Sequence, residues 1–140
     1  MSTIKVDTYL TRGGASEIAI DKLKGVSSAA SISVVAEGGT NTTNLQQGLA
    51  KTWHISNDAA GQEDSFNIGS GTDNGTGDYT YAFTANQSAN SYAHPHTTCI
   101  VNCAAWSQTR ATSSMRITIF YDEGAVRNAR THGTVHGDLA

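Results

Sequence analysis

The feature that most constrains the fold is a series of short alternating segments separated by turn residues. Apolar and polar side chains alternate over residues 52–56, 79–84 and 115–121. A period of two residues is typical of strands that bury one face. Clusters of Gly, Asn, Asp and Ser recur between these segments at intervals of roughly ten residues, and almost no segment has helical periodicity. The pattern predicts an all-β protein, an antiparallel β-sandwich of jelly-roll-like type.

Turn residues and proline set the limits of three further elements. Residues 64–68 are expected to form one strand. Asn74 and Gly75 lie in a loop rich in Gly, Thr and Asp, which predicts the turn of a hairpin. Residues 92–106 are apolar enough for a central strand, with Pro95 near its start because proline cannot donate to the ladder of hydrogen bonds.

The aromatic residues and the two cysteines are candidates for the core. We expect Phe66, Phe83 and Phe120 to be buried, because phenylalanine has no polar group to satisfy. If Cys99 and Cys103 share a strand, their Cα atoms are about 13 Å apart, which exceeds the roughly 7 Å limit for a disulfide. We therefore expect two small buried thiols, with an inter-chain bond or a metal role as the alternatives.

The first third of the chain is patterned more weakly than the rest. Residues 4–9 and 31–35 alternate like short strands, and a short helix is expected over residues 45–49. Short strands with few apolar side chains have little core of their own. We therefore predict a short extended N-terminal arm, residues 1–48, used for attachment, followed by a β-sandwich domain, residues 49–140.

Composition and charge exclude several functional classes. The 140 residues suffice for one domain with a core, and their net charge of −3 argues against a surface that binds nucleic acid or anionic membranes. No apolar run reaches the roughly 18 residues of a membrane span. The first residues lack the apolar region of a signal peptide, so we expect the chain to be used without secretion.

No arrangement of residues in the sequence indicates catalysis. Gly69-Ser70-Gly71 lacks the frame that exposes a nucleophilic serine between a strand and a helix. Glu63 and Asp64 are adjacent, so on a strand they face opposite sides, whereas an acid–base pair must converge. No glycine-rich nucleotide-binding motif is present either. We therefore predict that the chain is not an enzyme and has no cofactor.

The five histidines raise the question of a metal site. His94 and His96 flank Pro95, and on a strand they would share one face about 6.6 Å apart. The cysteines and the later histidines, His132 and His136, do not add the ligand spacing of a zinc site. We therefore predict no metal site, with His94 and His96 as weak candidates, and expect them to form ordinary polar or inter-chain hydrogen bonds.

Several segments resemble small structural or tail-fibre proteins of marine and cyanobacterial tailed bacteriophages. They are residues 1–8, residues 42–51 together with 64–84, and residues 137–140, whereas residues 91–130 are less similar. The resemblance covers both ends and the centre of the chain. It implies a β-rich virion subunit, usually trimeric, that is attached through its N-terminal portion. In such fibres a His-x-His pair on the threefold axis can bind one metal ion.

The residues and the resemblance together give an expected function. We expect a homotrimeric short tail fibre or spike subunit that attaches through residues 1–48 and presents its sandwich to the host surface. The alternative is a capsid decoration (cement) protein that stabilises the phage head, and a remote alternative is a surface-polysaccharide hydrolase. Expected partners are sister chains, other phage structural proteins and a host receptor, with no nucleic acid or membrane. The expected location is the virion, assembled in the host cytoplasm.

Overall fold

The computed structural model describes residues 13, 21–23, 32–36, 39–121 and 124–137, with the side chains of Gln46 and Gln47 left out. The strand expected over residues 4–9 lies outside the described residues. In chain order the elements are β1 (Ser33–Val35), β2 (Thr42–Asn44), α1 (Leu45–Gly48), β3 (Ala50–Ser56), β4 (Gln62–Phe66), β5 (Ile68–Gly75), β6 (Asp78–Phe83), β7 (His96–Thr98), β8 (Cys103–Arg110), β9 (Ser114–Tyr121), β10 (Ala125–Val126) and β11 (Thr131–His136). The prediction of an all-β protein is confirmed.

Two antiparallel sheets form a sandwich-like arrangement. One sheet has four strands in the order β4-β3-β11-β7. The other has five, in which β9 pairs with β8 along one side and with β6 and then β10 along the other. Strand β5 completes this sheet beyond β6. The expected antiparallel sandwich is therefore confirmed, and its open sheets leave β4, β7, β5, β8 and the two-residue β10 as edge strands.

The core between the sheets has one apolar side and one polar side. The five-stranded sheet contributes the alternating residues of β6 and β9, and the buried set is Tyr79, Tyr81, Phe83, Met115, Ile117 and Ile119. The four-stranded sheet contributes Val135 and a group of buried polar residues, namely Thr52, His54, Ser56 and Thr131. The period-two prediction for residues 79–84 and 115–121 is correct, because these strands bury one face only.

Hydroxyl groups satisfy one another on the polar side of the core. The Tyr81 hydroxyl lies 2.7 Å from Ser56 Oγ and 2.9 Å from Thr131 Oγ1. Ser56 Oγ and Thr131 Oγ1 are 2.8 Å apart, which closes a buried triangle. Each hydroxyl can donate one bond and accept another, so burial costs little here.

Residues 64–68 do not form the single strand that the sequence predicts. Strand β4 ends at Phe66 and β5 begins at Ile68, in the other sheet. Between them Asn67 has a φ of 60°, the left-handed conformation that asparagine tolerates better than most residues. The Asn67 side chain fixes this crossing, because it donates to the carbonyl oxygens of Lys51 and Ala85 at 3.1 and 3.0 Å.

The hairpin turn lies later than predicted. Asn74 and Gly75 still belong to β5, and the chain reverses at Thr76 and Gly77. Gly77 has a φ of 67°, and a Cβ atom there would lie 2.7 Å from the carbonyl oxygen of Arg127. Only glycine combines this conformation with this close approach, so it sets the position of the turn.

The predicted central strand over residues 92–106 is also wrong. The chain forms the short β7 directly after Pro95, turns at Asn102, whose φ is 59°, and then enters β8 in the other sheet. Both strands lie at sheet edges. The apolar composition of the segment therefore does not reflect a central position, and Pro95 precedes an edge strand as its missing N–H requires.

The predictions of which aromatic residues and cysteines are buried are correct only in part. Phe83 is buried, Phe120 is half-buried and Phe66 is 52% exposed, because Phe66 lies on the outer face of β4. Both cysteines are free, but Cys99 is exposed and only Cys103 packs partly against the core. The expectation of two buried thiols is therefore wrong for Cys99.

The described part of the arm is an exposed hairpin. Strand β1 pairs with β2 over three residue pairs, and α1 follows directly. Val34 and Val35 are 51% and 60% exposed, and Leu49 after α1 is 55% exposed. A two-stranded hairpin with so little burial is at best marginally stable by itself.

Candidate functional site

The two candidate histidines belong to a row of three imidazoles inside the sandwich. His96 lies between His54 and His94, with 5.3 Å between the ring centroids in each pair. His54 Nε2 and His96 Nδ1 are 3.4 Å apart, and His94 Nε2 lies 2.6 Å from Ser107 Oγ on β8. At the other end His54 packs against Tyr81, with the ring planes tilted by 60° and the centroids 4.2 Å apart. The structure thus brings His94 and His96 together and adds His54, which the sequence analysis missed.

A glycine on β11 makes room for this histidine row. Gly133 pairs with His54 on one side and with His96 on the other, so all three residues face inward. A Cβ atom on Gly133 would lie 2.3 Å from His96 Nδ1 and 2.6 Å from His54 Nε2. The two rings therefore occupy the space that a side chain on β11 would fill. The alternation along β3 indicates that His54 points inward, but it does not indicate which residues His54 contacts.

Burial keeps the imidazoles of this row uncharged. Desolvation lowers the pKa of His54 to about 4, with a smaller contribution from His132. Desolvation, together with His54 and His94, lowers the pKa of His96 to about 3. Desolvation and then Arg110 lower the pKa of His94. At neutral pH the row is thus neutral, because a buried imidazolium would lack both water and an opposite charge.

The nitrogens of the histidine row are hydrogen-bonded only in part, because His54 Nδ1, His94 Nδ1 and His96 Nε2 are buried without a partner among the described residues. Among the described residues no group of three or more His, Cys, Asp or Glu side chains is arranged to hold a metal ion. The near nitrogens of His54 and His96 face each other, and His94 is bound to Ser107. His96 faces the interior, whereas a metal on a threefold axis needs an imidazole that faces outward. The prediction that there is no metal site stays a prediction.

The remaining side chains that could react or bind ions lie on the surface. Cys99 Sγ is 3.3 Å from His132 Nε2, and both residues are exposed. Glu63 forms a salt bridge with Arg130, while the carboxylate of its neighbour Asp64 accepts a bond from the backbone N–H of Ser65 at 2.9 Å. The two carboxylates are thus engaged separately.

Ser70 and Asp78 also lack a catalytic arrangement. Ser70 lies within β5 and not at a turn between a strand and a helix, which is where a nucleophile elbow forms. Asp78 forms a salt bridge with Arg116, and the hydrogen bond from that side chain lowers the pKa of the carboxyl group. A carboxyl group held ionised in this way is a poor general acid.

Two aromatic surfaces lie on the outer faces of the sheets. Trp106 on β8 is 66% exposed, and its ring centroid is 5.8 Å from that of Phe120 on β9. These rings flank a cleft of about 280 Å³, here called the aromatic cleft, lined by Trp106, Ser107, Gln108, Thr118 and Phe120. On the opposite sheet Trp53 pairs with Phe66 and borders a groove of about 380 Å³. The large rings of both surfaces, Trp106, Trp53 and Phe66, are at least one-third exposed.

Comparisons with protein-family models, with curated proteins and with solved structures find no significant match. In the part of the chain that the structure describes, no helix is long and apolar enough to span a membrane.

Proposed function

We propose that this chain is a structural subunit of a tailed bacteriophage particle, and specifically a homotrimeric short tail fibre or spike. Residues 1–48 attach the subunit, and the sandwich of residues 49–140 faces the host surface. Its partners are sister chains, other virion proteins and a receptor on the host cell. Its location is the virion, after assembly in the host cytoplasm.

The exposed hairpin of β1 and β2 is the observation that carries this proposal. Its valines, Val34 and Val35, are more than half exposed, and both strands are three residues long. Such a hairpin gains stability when a further strand or surface covers it. Strand β2 of the hairpin lies within residues 42–51, one of the segments that resemble phage structural proteins. An arm that is completed by a neighbour is what an attachment region requires.

The chemistry of the described residues supports a binding role over catalysis. The carboxylates Glu63 and Asp78 are held in salt bridges, and burial keeps the imidazoles of His54 and His96 neutral. A hydrolase would need a convergent pair of carboxyl groups at a cleft. The exposed aromatic surfaces suit contact with other molecules instead, since tryptophan and tyrosine are enriched at interfaces.

A capsid decoration protein is the second candidate, and the same hairpin favours it. Strand β1, which among the described residues pairs with β2, could add its other edge to a sheet of a capsid subunit by strand addition. Tail and capsid positions differ in stoichiometry and location, so labelling separates them. Gold-labelled antibody against the chain, applied to purified particles, should mark the tail tip, and labelling over the whole head would favour decoration.

Attachment through the arm is tested by competition. The full chain should compete with phage particles for adsorption to host cells. A Val34→Asp variant should compete equally well, because host contact belongs to the sandwich, but it should fail to enter assembling particles. If antibody and mass spectrometry find the chain absent from purified particles, the proposed function is wrong.

A further inference from the structure

The aromatic cleft continues along β8 into a second pocket, here called the polar pocket. Ser107 and Gln108 line both pockets, so the two lie side by side. The polar pocket has a volume of about 390 Å³ and is lined by Asn90, Ser91, Ser107, Gln108, Thr109 and Arg110. Because Asn90 and Ser91 belong to the segment between β6 and β7, the pocket lies between that segment and β8. The two pockets form one groove that is aromatic at one end and rich in amide and hydroxyl groups at the other.

The aromatic end of the groove offers a flat apolar surface to a ligand. Trp106 is 66% exposed, and its ring is inclined at 59° to that of Phe120, with the centroids 5.8 Å apart. Two rings inclined in this way form a corner, so a planar aromatic ligand cannot be clamped between them. A ring with one apolar face and polar edges fits such a corner better. It can lie on the tryptophan and turn its edges to the neighbouring polar groups.

A buried hydroxyl group in the aromatic cleft lacks a partner. Thr118 pairs with Trp106 across the sheet, so both side chains lie on the outer face. Thr118 is only 8% exposed, and its Oγ1 atom has no hydrogen-bond partner among the described residues. An unpaired buried hydroxyl costs free energy, which is recovered when a ligand hydroxyl bonds to it. This atom points to a polar ligand independently of the exposed ring.

The charge of the groove comes from one side chain at its polar end. Among the described residues that line the two pockets, Arg110 alone is charged, and it is exposed. The described contacts of its guanidinium engage one of the five N–H donors, in a 3.4 Å bond from Nη1 to the carbonyl oxygen of Tyr92. The remaining donors match the geometry of a carboxylate or sulfate group. The polar end therefore suits a ligand that carries a negative charge.

We propose that this groove binds an acidic oligosaccharide, with one sugar ring on Trp106 and a carboxylate or sulfate group of a neighbouring sugar at Arg110. A pyranose has an apolar face of C–H groups, which lies well on an aromatic ring, and a rim of hydroxyl groups. Gln108 and Thr118 supply donors and acceptors for that rim. The inference rests on the proposed function, because it names the chemical class of the receptor on the host surface.

Other ligands and the other groove fit less well. An apolar ligand would leave the amide and hydroxyl groups of the polar pocket unpaired. A nucleic acid strand needs several cations for its phosphates, whereas this groove has one and the chain has a net charge of −3. The groove beside Trp53 is lined by neither an amide side chain nor a guanidinium. It lacks the groups that recognise hydroxyls and an anion.

The test is binding of the full chain to a printed array of neutral, uronic-acid-containing and sulfated oligosaccharides, with calorimetry for those that bind. The variants are Trp106→Ala and Arg110→Gln, which change exposed side chains. Trp53→Ala, on the opposite sheet, is the control for the first. Arg127→Gln, at an exposed arginine outside both pockets, is the control for the second. Circular dichroism and melting should show that all four variants are folded.

We expect the wild type to bind uronic-acid-containing or sulfated oligosaccharides more tightly than neutral ones with the same backbone. Trp106→Ala should weaken binding to every probe at least about tenfold, because the stacking surface is lost. Arg110→Gln should weaken binding to the acidic probes alone, by about two- to fivefold, as loss of an exposed ion pair does. High salt should reduce the preference of the wild type in the same way. Both controls should bind like the wild type.

A chain that binds no probe on the array would overturn the inference, and so would binding that Trp106→Ala leaves unchanged. Equal affinity for neutral and acidic probes would refute the acidic ligand. The proposed function is judged separately by detection of the chain in purified particles. Particles that contain the chain, together with an array on which it binds nothing, would refute only this inference. Binding to acidic oligosaccharides by a chain that is absent from particles would refute only the proposed function.

Discussion

Acidification should destabilise this fold well above the pH at which its carboxylates are protonated. The imidazoles of His54 and His96 have an unfolded pKa of 6.5, and burial lowers it to about 4 and about 3. The unfolded chain therefore binds more protons than the folded chain below pH 6.5. Stability is complete above that pH and is lost as the pH falls toward the folded pKa values. Tyr81 contacts His54 and Tyr92 contacts His94. Outside these ring contacts, His132 lowers the pKa of His54 and Arg110 lowers that of His94.

The size of the effect follows from these values. Each pH unit between the unfolded and the folded pKa costs about 1.4 kcal/mol per histidine. Between pH 7.5 and pH 4.5 the two residues together should cost about 5 kcal/mol. Native domains are stable by about 5–15 kcal/mol, so this loss is a large share of the total. His94 should add to it, since its pKa is lowered as well.

Urea unfolding followed by circular dichroism at a series of pH values measures this loss directly. His96→Gln should remove about half of the pH dependence, because one of the two titrations disappears. His132→Gln, at an exposed imidazole, should change the pH dependence only through the smaller contribution that His132 makes to the pKa of His54. Asp78, whose pKa is lowered, contributes stability that is lost only below its unfolded value of 3.8. A free energy of unfolding that stays constant down to pH 4 would refute the account of the histidine row.

Three further predictions concern single residues. Gly133→Ala should destabilise the protein by about 3 kcal/mol in urea unfolding, because the new methyl group overlaps two imidazoles. Gly69→Ala is its control and should cost about 1 kcal/mol or less, because a Cβ atom there would make only ordinary van der Waals contacts. Tyr81→Phe should cost about 1–2 kcal/mol by calorimetry, since two buried hydroxyls lose a shared partner. A thiol reagent should label Cys99 rapidly and Cys103 slowly by mass spectrometry, and equal rates would contradict their different exposure.

The sequence predicted the central strands well because each of them buries one face. On β6 the inward residues Tyr79, Tyr81 and Phe83 alternate with Thr80 and Ala82, so periodicity reports burial directly. The edge strands follow no such rule. They are partly solvated on both faces, and their apolar residues serve the outer surface, as Phe66 on β4 does. Apolar character alone therefore suggested a core position that the sheet order does not provide.

The candidate site was predictable only in part for a related reason. His94 and His96 are neighbours in the sequence and were found together. His54 and Gly133 join them through the register of β11 with its two neighbouring strands, which no local pattern encodes. The crossing at Asn67 was missed because a single residue in the left-handed conformation separates the two strands. Periodicity therefore shows neither which distant strands pair nor where a single residue in the left-handed conformation separates two strands.

The distribution of side chains between interior and surface links the histidine row to the aromatic cleft. Here His54 is 1% exposed while Trp106 is 66% exposed, the reverse of their usual preference. Strand β8 connects the two features, because Ser107 binds His94 and the adjacent Trp106 lines the aromatic cleft. A strand held by such a hydrogen bond can present a large ring in one orientation, which lowers the entropy lost when a partner binds. The histidine row and the exposed aromatic surface thus meet on one strand, β8.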